Sequence, residues 1–301
     1  MVPQVLRSTA QHPVLKFTCA MFALLGFSFS GFAQNLPRDN AQLDELIKAA
    51  KAEGELTFYS SQVEIVAKRI ADAFFAKYGI KSQFIRLAST PLQQRYAAEA
   101  EAGNIAADIL FNAGNAVAFA EEGLRKGWVE PISSAGLPVL KSGQFPAALN
   151  RGTVAVIQIA PEYFVYNTDK VKGPDIPRNW PDLLAPRFKG QILIPDPRAS
   201  DATLAQWVQV LNKFGESYLR QLSAQVGRRY ASGVPAIQAL GAGEGMLMLP
   251  ITRPSIDALA AKGAPVGGVV PAVVTGVEIQ IMLTARGKSK HPNAGRLMAN
   301  T

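Results

Sequence analysis

The chain has 301 residues, with 31 lysines and arginines against 23 aspartates and glutamates, two histidines and one cysteine. A single thiol excludes a disulfide framework, and two imidazoles leave histidine-rich metal sites and serine–histidine–carboxylate triads short of their usual parts. The net charge of +8 is spread along the sequence rather than gathered into a stripe; it favours small anions and does not point to nucleic acid.

Residues 1–33 read as a secretory signal. Arg7 and Lys16 precede an uncharged apolar run from Phe17 to Phe29, and Gly31-Phe32-Ala33 supplies a small-residue exit. Cleavage near Gln34 is expected, with an uncleaved anchor as the alternative, because the run is short for a membrane span and polar residues follow at once. Cys19 and His12 lie inside or before that run, so the mature chain is left with no thiol and with His291 alone.

Beyond the signal, helix-period and strand-like segments alternate, which argues for an α/β protein with a largely parallel sheet. Asp39 or Asn40 can cap a helix with Leu43, Leu46, Ile47 and Ala50 on one face, closed by Gly54. A strand from Glu55 to Tyr59 follows. Ser60 and Ser61 offer hydroxyls to a second helix carrying Val66, Ile70, Ala73 and Phe74 and ending at Gly79. The unit repeats: strand Ser82 to Leu87, then a helix opened by Thr90 and Pro91 and ended by Gly103, then strand Asp108 to Phe111 leading through Asn112-Ala113-Gly114-Asn115 into another helix. Pro131, Gly136, Pro138, Gly143 and Pro146 interrupt the rhythm ahead of a β-rich run from Thr153 to Tyr166, and the first crossing between two lobes is expected there.

The second half resumes with Trp180-Pro181-Asp182, a strand Gln191 to Ile194, and a helix containing Trp207 and Val208. A helix Val234 to Leu240, a strand Met246 to Ile251 and a return at Val266 to Val270 complete it. The glycines at 241, 243 and 245 follow a helix and precede a strand, the reverse of the order that aims a helix N-terminus at phosphate, so they form a turn. The expected division is residues 34–160 in lobe one, 161–270 in lobe two and 271–301 returning to lobe one. The terminal helix that starts at His291-Pro292 is so short before Thr301 that truncation is expected.

Four strand-to-helix junctions share one polarity: Ser60-Ser61, Ser89-Thr90, Asn112 to Asn115, and Ser200 to Thr203. At the carboxyl edge of an α/β sheet, such junctions present free N–H groups and partial positive charge to an anion, while plain helix capping is the competing reading. Arg198 and Arg253 end strand-like runs and are the candidate counter-charges, with Tyr59, Tyr163 and Tyr166 as candidate walls. The predicted binding set is Ser60, Ser61, Asn112, Ala113, Tyr166, Ser200, Thr203 and Arg253, with no catalytic residue, metal ligand or cofactor. Asp201 stands where it would repel an anion, pair with Arg198 or meet the amino group of a zwitterion.

Leu56 to Ser61, Ala107 to Phe111, Tyr166-Asn167-Thr168-Asp169, Trp180 to Leu184 with Phe188-Lys189-Gly190, Asp196-Pro197 and His291 to Ala294 occur in an order that resembles one family. It is that of the bacterial periplasmic ABC-transporter substrate-binding proteins of the ferric-iron type, within the type 2 periplasmic-binding fold. The resemblance implies a monomeric, hinged, two-lobe α/β protein, each lobe a mostly parallel sheet flanked by helices. It would capture a small anionic or zwitterionic solute and deliver it to an ABC permease of the inner membrane. The family's iron ligands are not matched: its histidine position falls at Val63, its glutamate at Ala113 and its tyrosine pair at about Arg253-Pro254. An arginine in place of hard oxygen donors favours an anion over direct Fe³⁺ ligation. A ferric ion or chelate, an enzyme using Asp201 or Glu278 as a base, and a sensor subunit are the alternative readings.

Overall fold

The computed structural model describes residues 40–114 and 116–301; the expected signal segment and cap residue Asp39 lie outside the described residues. In chain order the elements are α1 (Asn40–Glu53), β1 (Glu55–Ser60), α2 (Glu64–Tyr78), β2 (Lys81–Arg86), α3 (Ser89–Glu101), β3 (Ile109–Ala113), α4 (Ala116–Arg125) and β4 (Val129–Glu130). They continue with α5 (Pro138–Lys141), β5 (Ala155–Asn167), β6 (Ile192–Pro195), α6 (Asp201–Ser223), β7 (Val226–Tyr230), α7 (Gly233–Gly241), β8 (Leu247–Thr252), α8 (Arg253–Ala260), β9 (Val266–Val269), β10 (Gly276–Thr284) and α9 (Pro292–Asn300).

Strand order runs β2-β1-β3-β10-β5-β8-β6-β7, with β4 on β10 and β9 on β5. β2, β1 and β3 are parallel, as are β8, β6 and β7, so each lobe has the expected parallel group, and the crossing strands β10 and β5 join the two groups by antiparallel pairing. The helices on the faces explain the composition of β3, where all five residues are buried: a strand covered on both sides reads as a continuous run rather than as an alternation.

The pairing of β5 divides the molecule. Its first half, Ala155 to Pro161, lies against β10, and its second half, Glu162 to Asn167, lies against β8 and β9. Two apolar clusters cover the faces of the first set of strands, one containing Phe58, Ile109 and Leu297 and the other Tyr59, Leu110 and Tyr96. Two more cover the second set, around Phe164 and Trp180 on one side and Val165 and Leu240 on the other. β5 changes partners between Pro161 and Glu162, and residues 270–275 lead from β9 back to β10. The proline- and glycine-rich stretch expected to make the crossing stays with the first lobe, where Ile132 and Leu137 join its core. On the return, Gln209 of α6 holds both backbone polar groups of Gly276, donating from Nε2 to its oxygen at 2.9 Å and accepting its N–H at 3.2 Å.

Several local expectations change. Neither Ser60 nor Ser61 caps α2, whose N-cap is Val63, because the two hydroxyls are engaged elsewhere. Ala73 faces solvent, and the helix instead buries Ala67, Phe74 and Tyr78; Gly79 does end it, in the left-handed conformation. Arg253 opens α8, a helix not anticipated, instead of closing a strand.

The short terminal helix α9 is well packed: Ala294 and Leu297 are fully buried, and the Glu53 carboxylate accepts the Asn293 and Ala294 N–H groups. His291 precedes it as a structural residue. The buried Asp108 carboxylate accepts from Thr57 N at 2.9 Å, Ser289 Oγ at 2.7 Å and His291 N at 2.8 Å, and lies 2.9 Å from His291 Nδ1. One side chain therefore satisfies polar groups of β1, of the loop after β10 and of the entry to α9. Asp108→Ala leaves those donors buried without an acceptor and should lower the unfolding free energy by about 3–5 kcal/mol in urea denaturation; a loss below about 1 kcal/mol would show that the network is dispensable.

Candidate functional site

A cavity of about 150 Å³ lies between the two lobes. From the first lobe it is lined by Ser61, Gln62, Val63, Arg86, Ser89 and Ala113; from the crossing strands by Gln158, Glu162, Val277 and Ile279; from the second lobe by Ser200, Thr203, Gln206, Ser232, Thr252 and Ser255, among others. Hydroxyls and amides dominate the polar part of this wall. Among the described residues lining it, only Arg86 and Glu162 are ionisable.

Arg86 ends β2, the edge strand of the first lobe. Its Nε donates to the Gln62 carbonyl at 3.2 Å, while its Nη groups make no hydrogen bond among the described residues, leaving the outer edge of the guanidinium fork open to a ligand. Desolvation lowers its pKa and the nearby Glu64 partly offsets this. Glu162 is 3% exposed and sits where β5 leaves β10 and meets β8, opposite Thr252. Its N–H donates to the Thr275 oxygen at 3.0 Å, but its Oε2 has no hydrogen-bond partner. Burial pushes its carboxyl up to about 8, and no neighbouring cation counters the shift. Ser255, also on the wall, likewise has an unpartnered hydroxyl.

Of the residues expected to bind, the structure brings Ser61, Ala113, Ser200 and Thr203 to this wall and leaves four away from it. Ser60 is buried with its hydroxyl accepting from Gln62 N. Asn112 is buried behind the wall with neither side-chain polar atom paired. Tyr166 packs over Gly267 in the second-lobe core. Arg253 points outward: its Nε bonds Asp257 one turn along α8 at 2.6 Å, and its side chain is 60% exposed. Arg198 likewise pairs with Asp196 on the surface. Tyr59 donates to Glu99 at 2.6 Å, and neither it nor Tyr163 lines the cavity.

Arg86 and Glu162, which do carry the wall's charge, were missed because nothing local marks them. Arg86 ends an edge strand in an ordinary position, and Glu162 follows a proline in a β-rich run. The one sequence signal was that an acidic residue interrupts a strand buried on most of its length. Val63, Ala113 and Pro254, at or beside the positions aligned with the iron ligands of the resembling family, do line the cavity and offer no metal-binding side chain. Among the described residues, no group of three or more histidine, cysteine, aspartate or glutamate side chains could hold a metal ion.

The junction at Ser200 to Thr203 has a second role. Thr90 Oγ1 accepts the Asp201 N–H at 3.0 Å, Ser89 Oγ accepts that of Ala202 at 3.4 Å, and the hydroxyls of Ser89 and Ser200 lie 2.7 Å apart. Gln93 Nε2 donates to the Asp201 carboxylate at 3.2 Å. Ser89 and Thr90 thus satisfy N–H groups at the start of α6 across the cleft rather than capping their own helix, and Asp201 is engaged with the first lobe rather than with Arg198. Gly114 makes this approach possible. A Cβ there would lie 2.6 Å from the Ala202 nitrogen, and its φ of +77° suits glycine.

The family model of the bacterial extracellular solute-binding proteins matches residues 104–295. An uncharacterized protein of Haemophilus influenzae is 27% identical over 256 residues, covering 82% of this chain and 72% of its own. The periplasmic binding protein AfuA from Actinobacillus pleuropneumoniae, solved with fructose-6-phosphate bound, is 24% identical with a TM-score of 0.63, covering 82% of this chain and 78% of its own. Iron-bound HitA from Pseudomonas aeruginosa is 22% identical with a TM-score of 0.61, covering 82% and 79%. These likenesses show the fold: the two-lobe α/β architecture of periplasmic binding proteins.

Gly114→Val should hold the lobes apart, read as a larger radius of gyration than wild type in small-angle X-ray scattering; an unchanged radius would mean that the Gly114–Ala202 contact does not limit closure. Glu162 yields a pH test in the ligand-free protein. Its native pKa lies above the unfolded value, so its stabilising contribution is complete below about pH 4, declines as pH rises towards 8 and is gone above it. Glu162→Gln should match wild type near pH 4 and exceed it near pH 8 by on the order of a few kcal/mol in denaturant titrations. A stability gap that ignores pH would contradict the neutral buried carboxyl.

Proposed function

This chain belongs to the family of bacterial extracellular solute-binding proteins, and from that premise we propose that it captures a small anionic or zwitterionic solute in the Arg86–Glu162 cavity and delivers it to an ABC permease of the inner membrane. Export through the signal at residues 1–33, a periplasmic location and action as a monomer without a cofactor belong to the same proposal. The observation that carries it is the wall itself, in which side chains from both lobes and from the crossing strands line one partly open cavity.

Arg86 supplies the counter-charge that Arg253 was expected to provide, with the guanidinium edge open and the aliphatic stem held in a half-buried position. Ser61 Oγ accepts the Ala113 N–H at 2.9 Å and donates to the Phe111 carbonyl at 3.3 Å, so what it offers a ligand is its remaining acceptor lone pair. Because the wall draws on both lobes, a bound solute adds contacts across the cleft and stabilises the closed arrangement; that arrangement is what a permease would distinguish from an empty protein. A cavity near 150 Å³ is of a size that elsewhere holds a benzene-sized molecule of about six heavy atoms. A hexose phosphate, as bound by the Actinobacillus protein, would require these lobes to open further. Direct iron binding is disfavoured by a wall with one carboxylate and no imidazole, phenol or thiol.

The test is a thermal-shift panel of small carboxylates, sulfonates, phosphonates, oxo-anions, amino acids and ferric salts, followed by titration calorimetry on whatever raises the unfolding midpoint. Arg86→Ala should weaken binding of the responding anion about 10–100-fold, the loss of one charge-assisted hydrogen-bonding group, whereas Arg253→Ala should change it less than about twofold. A response confined to ferric salts, or equal affinity in Arg86→Ala, would overturn this reading.

A further inference from the structure

Glu162 is a costly residue for an anion-binding wall. A buried carboxyl without a partner destabilises the fold, and its charged form would repel an anionic solute. It lies neither in a core network nor in an ion pair: its Oε2 is unbonded, its side chain lines the cavity, and the strand that carries it joins the two lobes. Glu64 of α2 acts on Arg86 through space but does not line the cavity, and the remaining charges nearby are engaged elsewhere. Arg253 and Asp257 of α8 pair with each other on the outside, and Glu278 of β10 pairs with Arg151. Arg86 of β2 is the one cation on the same wall among the described residues.

An unpartnered buried carboxyl and an open guanidinium edge on one small cavity are complementary to a molecule with a positive and a negative end. Building on the solute-binding reading above, we propose that Glu162 is the receptor for an ammonium group and that the solute is a small zwitterion whose anionic end meets Arg86. The ligand then supplies the cation that Glu162 lacks, and the wall's hydroxyls and amides fill the remaining hydrogen bonds. Each end is read by a different part of the fold, Arg86 by the first lobe and Glu162 by the crossing strand, so a solute with both ends ties the cleft shut. The role of meeting an amino group, considered above for Asp201, falls to Glu162 because Asp201 is engaged with Gln93.

Proton balance follows. Glu162 is largely neutral at pH 7 in the empty cavity; on meeting R–NH₃⁺ the carboxyl releases its proton to solvent and the carboxylate accepts hydrogen bonds from the ammonium.

The experiment is isothermal titration calorimetry at pH 7 in two buffers of different ionisation enthalpy, with glycine, β-alanine, γ-aminobutyrate and taurine. Each is paired with its amine-free counterpart: acetate, propionate, butyrate and ethanesulfonate. At least one zwitterion should bind about 30-fold or more tightly than its counterpart and release close to one proton per site. Glu162→Gln should lose that preference and the proton release while keeping a cooperative unfolding transition. Amine-free acids binding as tightly as their partners, or Glu162→Gln retaining the preference, would overturn the inference. If in that case Arg86→Ala abolishes binding of the amine-free acids, the solute-binding reading stands without the zwitterion. No binding by any member of either set would also overturn the inference, and the solute-binding reading would then rest on the phosphonates and oxo-anions of the wider panel.

Discussion

The 13-residue strand β5 is shared between two sets of strands, and the rest of the molecule is arranged around that fact. A strand that pairs with β10 along its first half and with β8 and β9 along its second half makes the two lobes one hydrogen-bonded structure. It also places the change of partners at Pro161-Glu162. Proline is tolerated there because a strand that is changing neighbours can lose a ladder N–H at little cost. The next residue puts a carboxyl at the bottom of the cleft. The change of strand partners and the buried carboxyl of Glu162 are therefore adjacent in sequence.

Closure is written into the first turn of α6. Helix N-termini leave N–H groups without intrahelical partners, and here the Asp201 and Ala202 donors find the hydroxyls of Thr90 and Ser89 from the opposite lobe. In an open form the same donors would turn to water, so closure exchanges one set of hydrogen bonds for another at small net gain. A weakly biased cleft of this kind responds to a solute, because a few kcal/mol of differential binding is enough to shift the population. Gly114 lies so close to Ala202 that a Cβ there would come within 2.6 Å of its nitrogen.

Legibility was uneven for physical reasons that particular residues illustrate. Helix and strand periodicity, Gly79 as a C-terminal stop and the serine-rich junctions could be read locally, because each follows from short-range sterics and hydrogen bonding. Ser61, Ala113, Ser200 and Thr203 line the cavity for the same reason, since strand ends and helix starts collect at one edge of an α/β sheet. Arg253 misled: it follows an apolar run, as a cleft residue would, but it begins a helix whose Asp257 one turn later captures it. Arg86 and Glu162 carry no local mark, because what distinguishes them is the absence of a partner, and that is a property of the assembled fold.

By itself the sequence determined the α/β class, the alternation of elements, and a set of hydroxyl-bearing junctions where strands run into helices. These follow from residue type and spacing along the chain. Only the tertiary structure decided which junctions face a common space, which hydroxyls serve the opposite lobe instead of their own helix, and which two charges remain open to a solute. Those outcomes depend on long-range pairing, above all of β5 with both halves of the sheet and of α3 with α6, and pairing at such separations is set by the packing of the whole chain rather than by any local pattern.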